Sequence, residues 1–357
     1  MSDQQFSDLH CHPAMHPLML GHKKLWNTHL GSKRRKIKEA QEQGKRGGLY
    51  DQAGYPKLIN SRVKLVYASL YSLEQGFMMN NSYLLSALNM TIKIGLVFPM
   101  ILHFAGIRLH LRDFVMSLYT KYKAKRLRFL KEQEYWDEFI NELQHYKDEK
   151  DTTGELVHES EQEIMHLLDF AYGDGTSNNL KSSGTFRVAD GNWDKTLPAS
   201  DEVLTVLTME GLAIVSQTKH GGGHSKHGTK MLRSNTIGKR IKYLKNEIPL
   251  FFVTFSHHFS SELCGHARSL PIKARRLGLL DQEFFIDEGF SQLGYLTLKY
   301  LLSVKELPNG QFIKDENAGR RIFIDVKHLS LKGRLTLYQL VASYNAAHPL
   351  DKIPIIA

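Results

Sequence analysis

The sequence predicts an α/β protein in which a parallel sheet is built from strands joined by crossover helices. Short apolar runs recur along the chain, at residues 5–10, 63–73, 203–209, 250–256, 321–327 and 353–357. Between the later runs, apolar residues repeat at helical spacing. Long helical connections suit parallel rather than hairpin pairing, which is the basis of the fold class. The third observation is chemical: the apolar runs end in histidines and an acid.

Taken in order, residues 5–10 lead into the stretch DLHCHP, and 63–73 (VKLVYASLYSL) is the second strand. Residues 203–209 and 250–256 follow as third and fourth. Three helices then fit the pattern: 234–246, with Ser234 or Asn235 as N-cap, then 291–303 and 331–347. The strand at 321–327 lies between the last two, and 353–357 reads as a sixth. The segment 76–200 is expected to be a mostly helical insertion between the second and third strands. Phe114, Leu118, Trp136, Phe139, Ile140 and Leu143 mark its apolar faces, and its last part, GDGTSNNLKSSGTFRVADGN, reads as loop. The stretch KHGGGHSKHGTK, with His220, His224 and His227, reads as a second loop whose glycines give those imidazoles no fixed geometry.

Composition narrows the class. A chain of 357 residues, 42% hydrophobic, can bury a large core, and it is read as one domain. Two cysteines, Cys11 and Cys264, cannot form a disulfide framework, and no basic segment followed by an apolar one opens the chain. These features predict a cytoplasmic protein. The most apolar stretch, 83–109, is interrupted by Lys93, Pro99, His103 and Arg108, short of the roughly 20 apolar residues a spanning helix needs. No transmembrane segment is expected. The net charge of +10 is concentrated at 33–38, 121–131 and 239–245. Within helical patterns such clusters read as solvated faces, so nucleic acid is not an expected partner; a non-catalytic basic protein that binds polyanions is the alternative.

The ends of the strands carry the functional signal. In an extended segment alternate side chains share a face, so His10 and His12 project together and can grip one metal ion. Taken alone, the pair is equally compatible with two solvated imidazoles. The run VLTVLTM, however, ends in Glu210, LFFVTFS in His257 and His258, and RIFIDVK in His328. In a (β/α) barrel of the TIM type, the carboxyl ends of the strands form the active-site face. Four such runs therefore predict a shared metal site.

These residues resemble the membrane (renal) dipeptidase family of the amidohydrolase superfamily. DLHCHP is similar to the family's first-strand metal motif, LTMEGL to the strand with a metal-bridging glutamate, and FVTFSHHFSS to the strand whose histidine faces substrate. EGFSQLGYLTLKYLL and IFIDVKHLS resemble the helix and next metal-binding strand. The likeness covers residues 1–75 and 201–357. It implies that His10 and His12 hold a first zinc ion, that Glu210 bridges it to a second, and that His328 binds the second. His257 would contact the substrate carbonyl as the catalytic side chain, with His258 also facing substrate. His12 stands where the family carries aspartate, which brings the motif closer to the broader HxH pattern of amidohydrolases.

The implied activity is hydrolysis of an amide bond in a dipeptide or other small molecule; a cyclic amide or lactone is the alternative substrate, and a homo-oligomer is compatible with this reading. The resemblance further implies that the barrel is truncated after its sixth strand at IPIIA, before another metal histidine and a proton-transfer aspartate. On that expectation the 357-residue chain alone shows little or no hydrolase activity.

Overall fold

The computed structural model describes residues 5–14, 25, 54–60, 62–72, 74, 134–152, 154–155, 183–191, 198–199, 201–219, 230–270 and 282–357. The fold is mixed α/β with a parallel sheet. The chain forms two compact units: 1–68, 94–126 and 142–206 make the first, and 69–93, 127–141 and 207–357 the second.

The first unit contains β1 (Phe6–Cys11), α1 (Tyr55–Asn60), most of β2 (Val63–Tyr71), the second half of α2 (Tyr135–Glu149), β3 (Gly154–Glu155), β4 (Ser183–Val188) and the first part of β5 (Glu202–Glu210). Strands follow the order β1-β2-β5-β4-β3. β1 runs parallel to β2, with Asp8 opposite Val66, and β4 runs parallel to β5, with Phe186 opposite Val203. The core is aromatic. Tyr55 stacks on Phe186 with ring centroids 4.0 Å apart, and Tyr146 meets the same ring edge-on at 6.4 Å. The buried Tyr55 hydroxyl is satisfied by Thr205 Oγ1 at 2.8 Å.

β4 corrects one expectation, since it lies in the stretch read as loop. Its polar residues, Thr185 and Arg187, lie half-exposed while Gly184 and Phe186 are buried, so a two-residue period is hidden in an outwardly polar sequence. Gly184 is fixed by space: a Cβ there would lie 2.5 Å from Ile59 Cδ1 and 2.6 Å from the Asp201 carbonyl. β2 and β5 remain neighbours. The rest of 76–133 and 156–182 lies outside the described residues, as do Phe114, Leu118, His220, His224 and His227.

The second unit takes the ends of β2 and β5 and the first half of α2. It continues with α3 (Ala213–Ser216), β6 (Gln217–Thr218), β7 (Lys230–Met231), α4 (Ser234–Glu247), β8 (Phe252–Thr254), α5 (Gln292–Leu301), β9 (Val304–Glu306), β10 (Phe312–Lys314), β11 (Phe323–Asp325) and α6 (Leu331–Ala347). The last two residues of β5 pair in parallel with β8, Glu210 opposite Thr254, and β8 pairs in parallel with β11, Thr254 opposite Asp325. β9 and β10 form a hairpin closed by a Leu307–Gly310 turn, where the Gly310 amide donates to the Leu307 carbonyl at 2.8 Å and φ is +78°.

The helices follow from their residues. α4 buries Ile237, Ile241 and Leu244, spaced four and three apart. Its N-cap is Arg233 in extended conformation, with no side-chain cap, rather than Ser234 or Asn235, which are already in the first helical turn. α5 and α6 have serine caps: Ser291 Oγ accepts from the Gly294 amide at 3.1 Å, and Ser330 Oγ from the Gly333 amide at 3.0 Å. Lys245, reaching from α4, donates to the Tyr300 and Leu301 carbonyls at the end of α5 and to Ser303 Oγ. That satisfies carbonyls with no partner inside the helix.

Residues 353–357 are not a strand. Asn345 takes both peptide groups of Ile353, its Nδ2 donating to the carbonyl at 2.9 Å and its Oδ1 accepting from the amide at 2.7 Å. Pro354 has no N–H to offer a ladder. What remains is a single parallel bridge from Asp325 to Ile356.

Two glycines in helices make opposite predictions. A Cβ on Gly294 would sit 1.7 Å from the Leu263 carbonyl oxygen, whereas one on Gly238 meets nothing within 4 Å. Gly294→Ala is expected to destabilise by about 1–3 kcal/mol or to misfold, and Gly238→Ala to stabilise by about 0.5–1 kcal/mol. Denaturant unfolding of the two variants checks both signs.

Candidate functional site

β5 is buried over almost its whole length, and its last residue, Glu210, is 5% exposed. Gly211 then turns the chain with φ +92°, its amide donating to the Thr254 carbonyl at 3.0 Å. A side chain here would be strained, and its Cβ would come 3.3 Å from the Cβ of His257. The pair Glu-Gly thus lets the loop after β8 close over the end of β5.

That loop delivers His257. Its ring is 5% exposed and lies between two carboxylates, Nδ1 2.6 Å from Glu74 Oε2 and Nε2 3.1 Å from Glu210 Oε1. Ionised carboxylates only accept hydrogen bonds, so both ring nitrogens donate and the ring is an imidazolium. Burial opposes this charge, but Glu210 and Glu74 outweigh it and raise the His257 pKa from 6.5 to about 10. Lys327 Nζ adds a second cation 3.4 Å from Glu210 Oε1.

His258 behaves differently. Burial, and then the charges of His257 and His328, push its pKa well below the usual histidine value, so it is neutral. Its Nδ1 lies 2.7 Å from Ser269 Oγ, and Gln282 Nε2 donates to both its carbonyl and Ser269 Oγ. His328 follows β11 by three residues. Its ring centroid is 4.7 Å from that of His257 and 4.9 Å from that of His258. His257, His258 and His328 each offer a nitrogen, all within 4.8 Å of one another, and such a group could hold a metal ion. Below it, Thr254 Oγ1 donates to Asp325 Oδ2 at 2.7 Å, and Asp325 Oδ1 accepts from the Lys327 amide at 2.8 Å, fixing the turn that leads to His328.

The structure thus brings together Glu210, His257, His258 and His328 in the second unit. His10 and His12 lie in the first, at the end of β1, half-buried with ring centroids 4.9 Å apart, and the His10 amide donates to Asp8 Oδ1 at 3.0 Å. Glu74 and Lys327 were not foreseen. Glu74 sits three residues past β2 and directly follows the apolar run 63–73, so the rule that singled out Glu210 could have found it.

Within the basic cluster 239–245, Lys239 and Lys242 are exposed, as on a solvated helix face, while Arg240 and Lys245 are packed. Lys245 is buried against α5, and the guanidinium of Arg240 lies over the Trp136 ring, 4.9 Å from its centroid. Among the described residues, no helix is long and apolar enough to cross a membrane. No family model, curated protein or solved structure matches this chain.

The histidine sandwich predicts a pH dependence. With a folded pKa of about 10 against 6.5 unfolded, the stability that His257 contributes is complete below pH 6.5 and is lost as pH rises through 10. His257→Ala is expected to destabilise the metal-free chain by about 3–5 kcal/mol near pH 6, because two buried carboxylates lose their cation. The gap should narrow toward pH 10. Chemical denaturation of both proteins at a series of pH values measures it, and a gap that widens with pH would contradict the assignment.

Proposed function

We propose that the chain is a metal-dependent hydrolase of an amide bond, acting on a dipeptide-like substrate at the ends of β5, β8 and β11. One observation carries this reading: three laterally paired parallel strands each deliver a ligand or acid–base side chain to the same buried cluster. Parallel α/β sheets bind their ligands at the carboxyl ends of the strands. The full architecture consistent with it is a (β/α) barrel of the amidohydrolase type.

Neutral imidazoles and carboxylates suit zinc. In the proposed ligand set Glu210 and His328 are joined, on the strength of the DLHCHP motif, by His10 and His12, with Glu210 bridging two ions. The metal would supply an acidified water and polarise the scissile carbonyl. His257 has both nitrogens engaged as donors, which suits it to stabilise a developing oxyanion rather than to serve as a ligand. His258, neutral and beside it, faces the same space and completes the substrate contacts.

Zinc titration of the purified chain tests the proposal. His328→Ala, Glu210→Gln and His10→Ala are each expected to weaken binding at least about tenfold, with hydrolysis of dipeptides assayed on the zinc-loaded protein. Unchanged affinity in all three variants would sink the metal reading. Loss in the first two with none in His10→Ala would remove the β1 histidines from the ligand set.

A further inference from the structure

The residue that the hydrolase reading leaves without a task is Glu74. It follows β2 by three residues and is 4% exposed. Its two oxygens do two different things. Oε2 accepts a hydrogen bond from His257 Nδ1–H at 2.6 Å, and Oε1 accepts from the Phe259 amide at 3.1 Å, two residues further along the same loop. One carboxylate therefore grips both the ring and the backbone that carries it. The contact is backed from behind. The Glu74 amide donates to the Tyr71 hydroxyl at 3.4 Å, and the Tyr71 ring stands edge-on to His257, centroids 5.3 Å apart.

We infer that Glu74 is a positioning residue, whose bidentate grip on Nδ1 of His257 and on the Phe259 amide aims Nε2–H at the substrate oxygen. The inference rests on the hydrolase reading for its consequence but not for its geometry. A ring held at Nδ1 has its tautomer and its rotation set together, so the other nitrogen presents a proton in one direction. In the structure that direction is occupied by Glu210 Oε1 at 3.1 Å. Were Glu210 to hold a metal, that N–H would be released for a substrate oxygen while Glu74 kept its grip on Nδ1.

Glu74→Gln separates positioning from mere burial. The amide is the same size, but while its oxygen keeps the Phe259 amide it turns an NH2 donor to the ring and can no longer accept from Nδ1–H. In the zinc-loaded 357-residue chain, with a dipeptide as substrate, any kcat is expected to fall about 10–100-fold while KM and bound zinc stay close to wild type. The downfield Nδ1–H proton resonance of His257, assigned by its loss in His257→Gln, should move or vanish. An unchanged kcat together with an unchanged resonance would overturn the inference. If the wild-type chain shows no measurable amide hydrolysis, the resonance alone decides: its shift in Glu74→Gln supports the grip on the ring, and its persistence overturns it; a wild-type chain that binds no zinc sinks the hydrolase reading and leaves the resonance to decide in the same way. Should Glu74→Gln not fold, Glu74→Asp, one methylene shorter, is expected to displace the same resonance, and its persistence would count equally against the inference.

Discussion

The candidate site depends on one interaction, the burial of the His257 imidazolium between Glu74 and Glu210. Neither carboxylate would be at home there alone: an unpaired charge in a protein interior costs several kcal/mol. With the ring between them, each oxygen that faces His257 accepts a hydrogen bond from it. The arrangement is held by backbone register. Glu210 lies opposite Thr254 and Thr254 opposite Asp325, so the three parallel strands reach their ends together. A slip of one residue would turn Glu210 to the other face of the sheet and leave His257 with one partner.

Such a cluster is poor value as a stabilising device, because hydrophobic residues of similar volume often do as well or better than a buried ion pair. Its neighbourhood has apolar packing to spare: Phe255 lies edge-on to Phe290, and Phe251 to Phe323, at about 5 Å. The polar groups gather instead at the ends of the strands, just past the apolar runs. That division, with packing along the strands and chemistry at their tips, is the physical ground for reading the cluster as a working site.

Much of this was legible in the sequence, where local pattern and tertiary demand agree. The helix at 331–347 matches the observed Leu331–Ala347, since Ser330 caps its start and buried Leu337, Leu340, Val341 and Tyr344 define its inner face. Glu210, His257, His258 and His328 were visible because each follows an apolar run directly. The misses have specific causes. β4 alternates too many polar residues to look like a buried strand. Residues 353–357 look like one, but Asn345, far enough away to be invisible in a local window, takes the peptide groups of Ile353. Glu74 directly follows the second run, 63–73, just as Glu210 follows the third, so its place was legible and was passed over.

Adjacency in sequence gives His257 and His258 no common role. One is driven to hold its proton by two carboxylates; the other is emptied of charge by burial and by the first. Their ring centroids are only 3.9 Å apart, so two cations there would repel strongly, and charging one enforces neutrality on the other. Opposed environments on neighbouring titratable groups are a recurrent way of dividing acid from base within a small site. Here the division puts an N–H donor beside a neutral imidazole. The proposed amide hydrolysis calls for a donor where negative charge develops, the part proposed for His257. On the proposed reading Glu74 sets this division, holding His257 as the donor while neutral His258 contacts substrate.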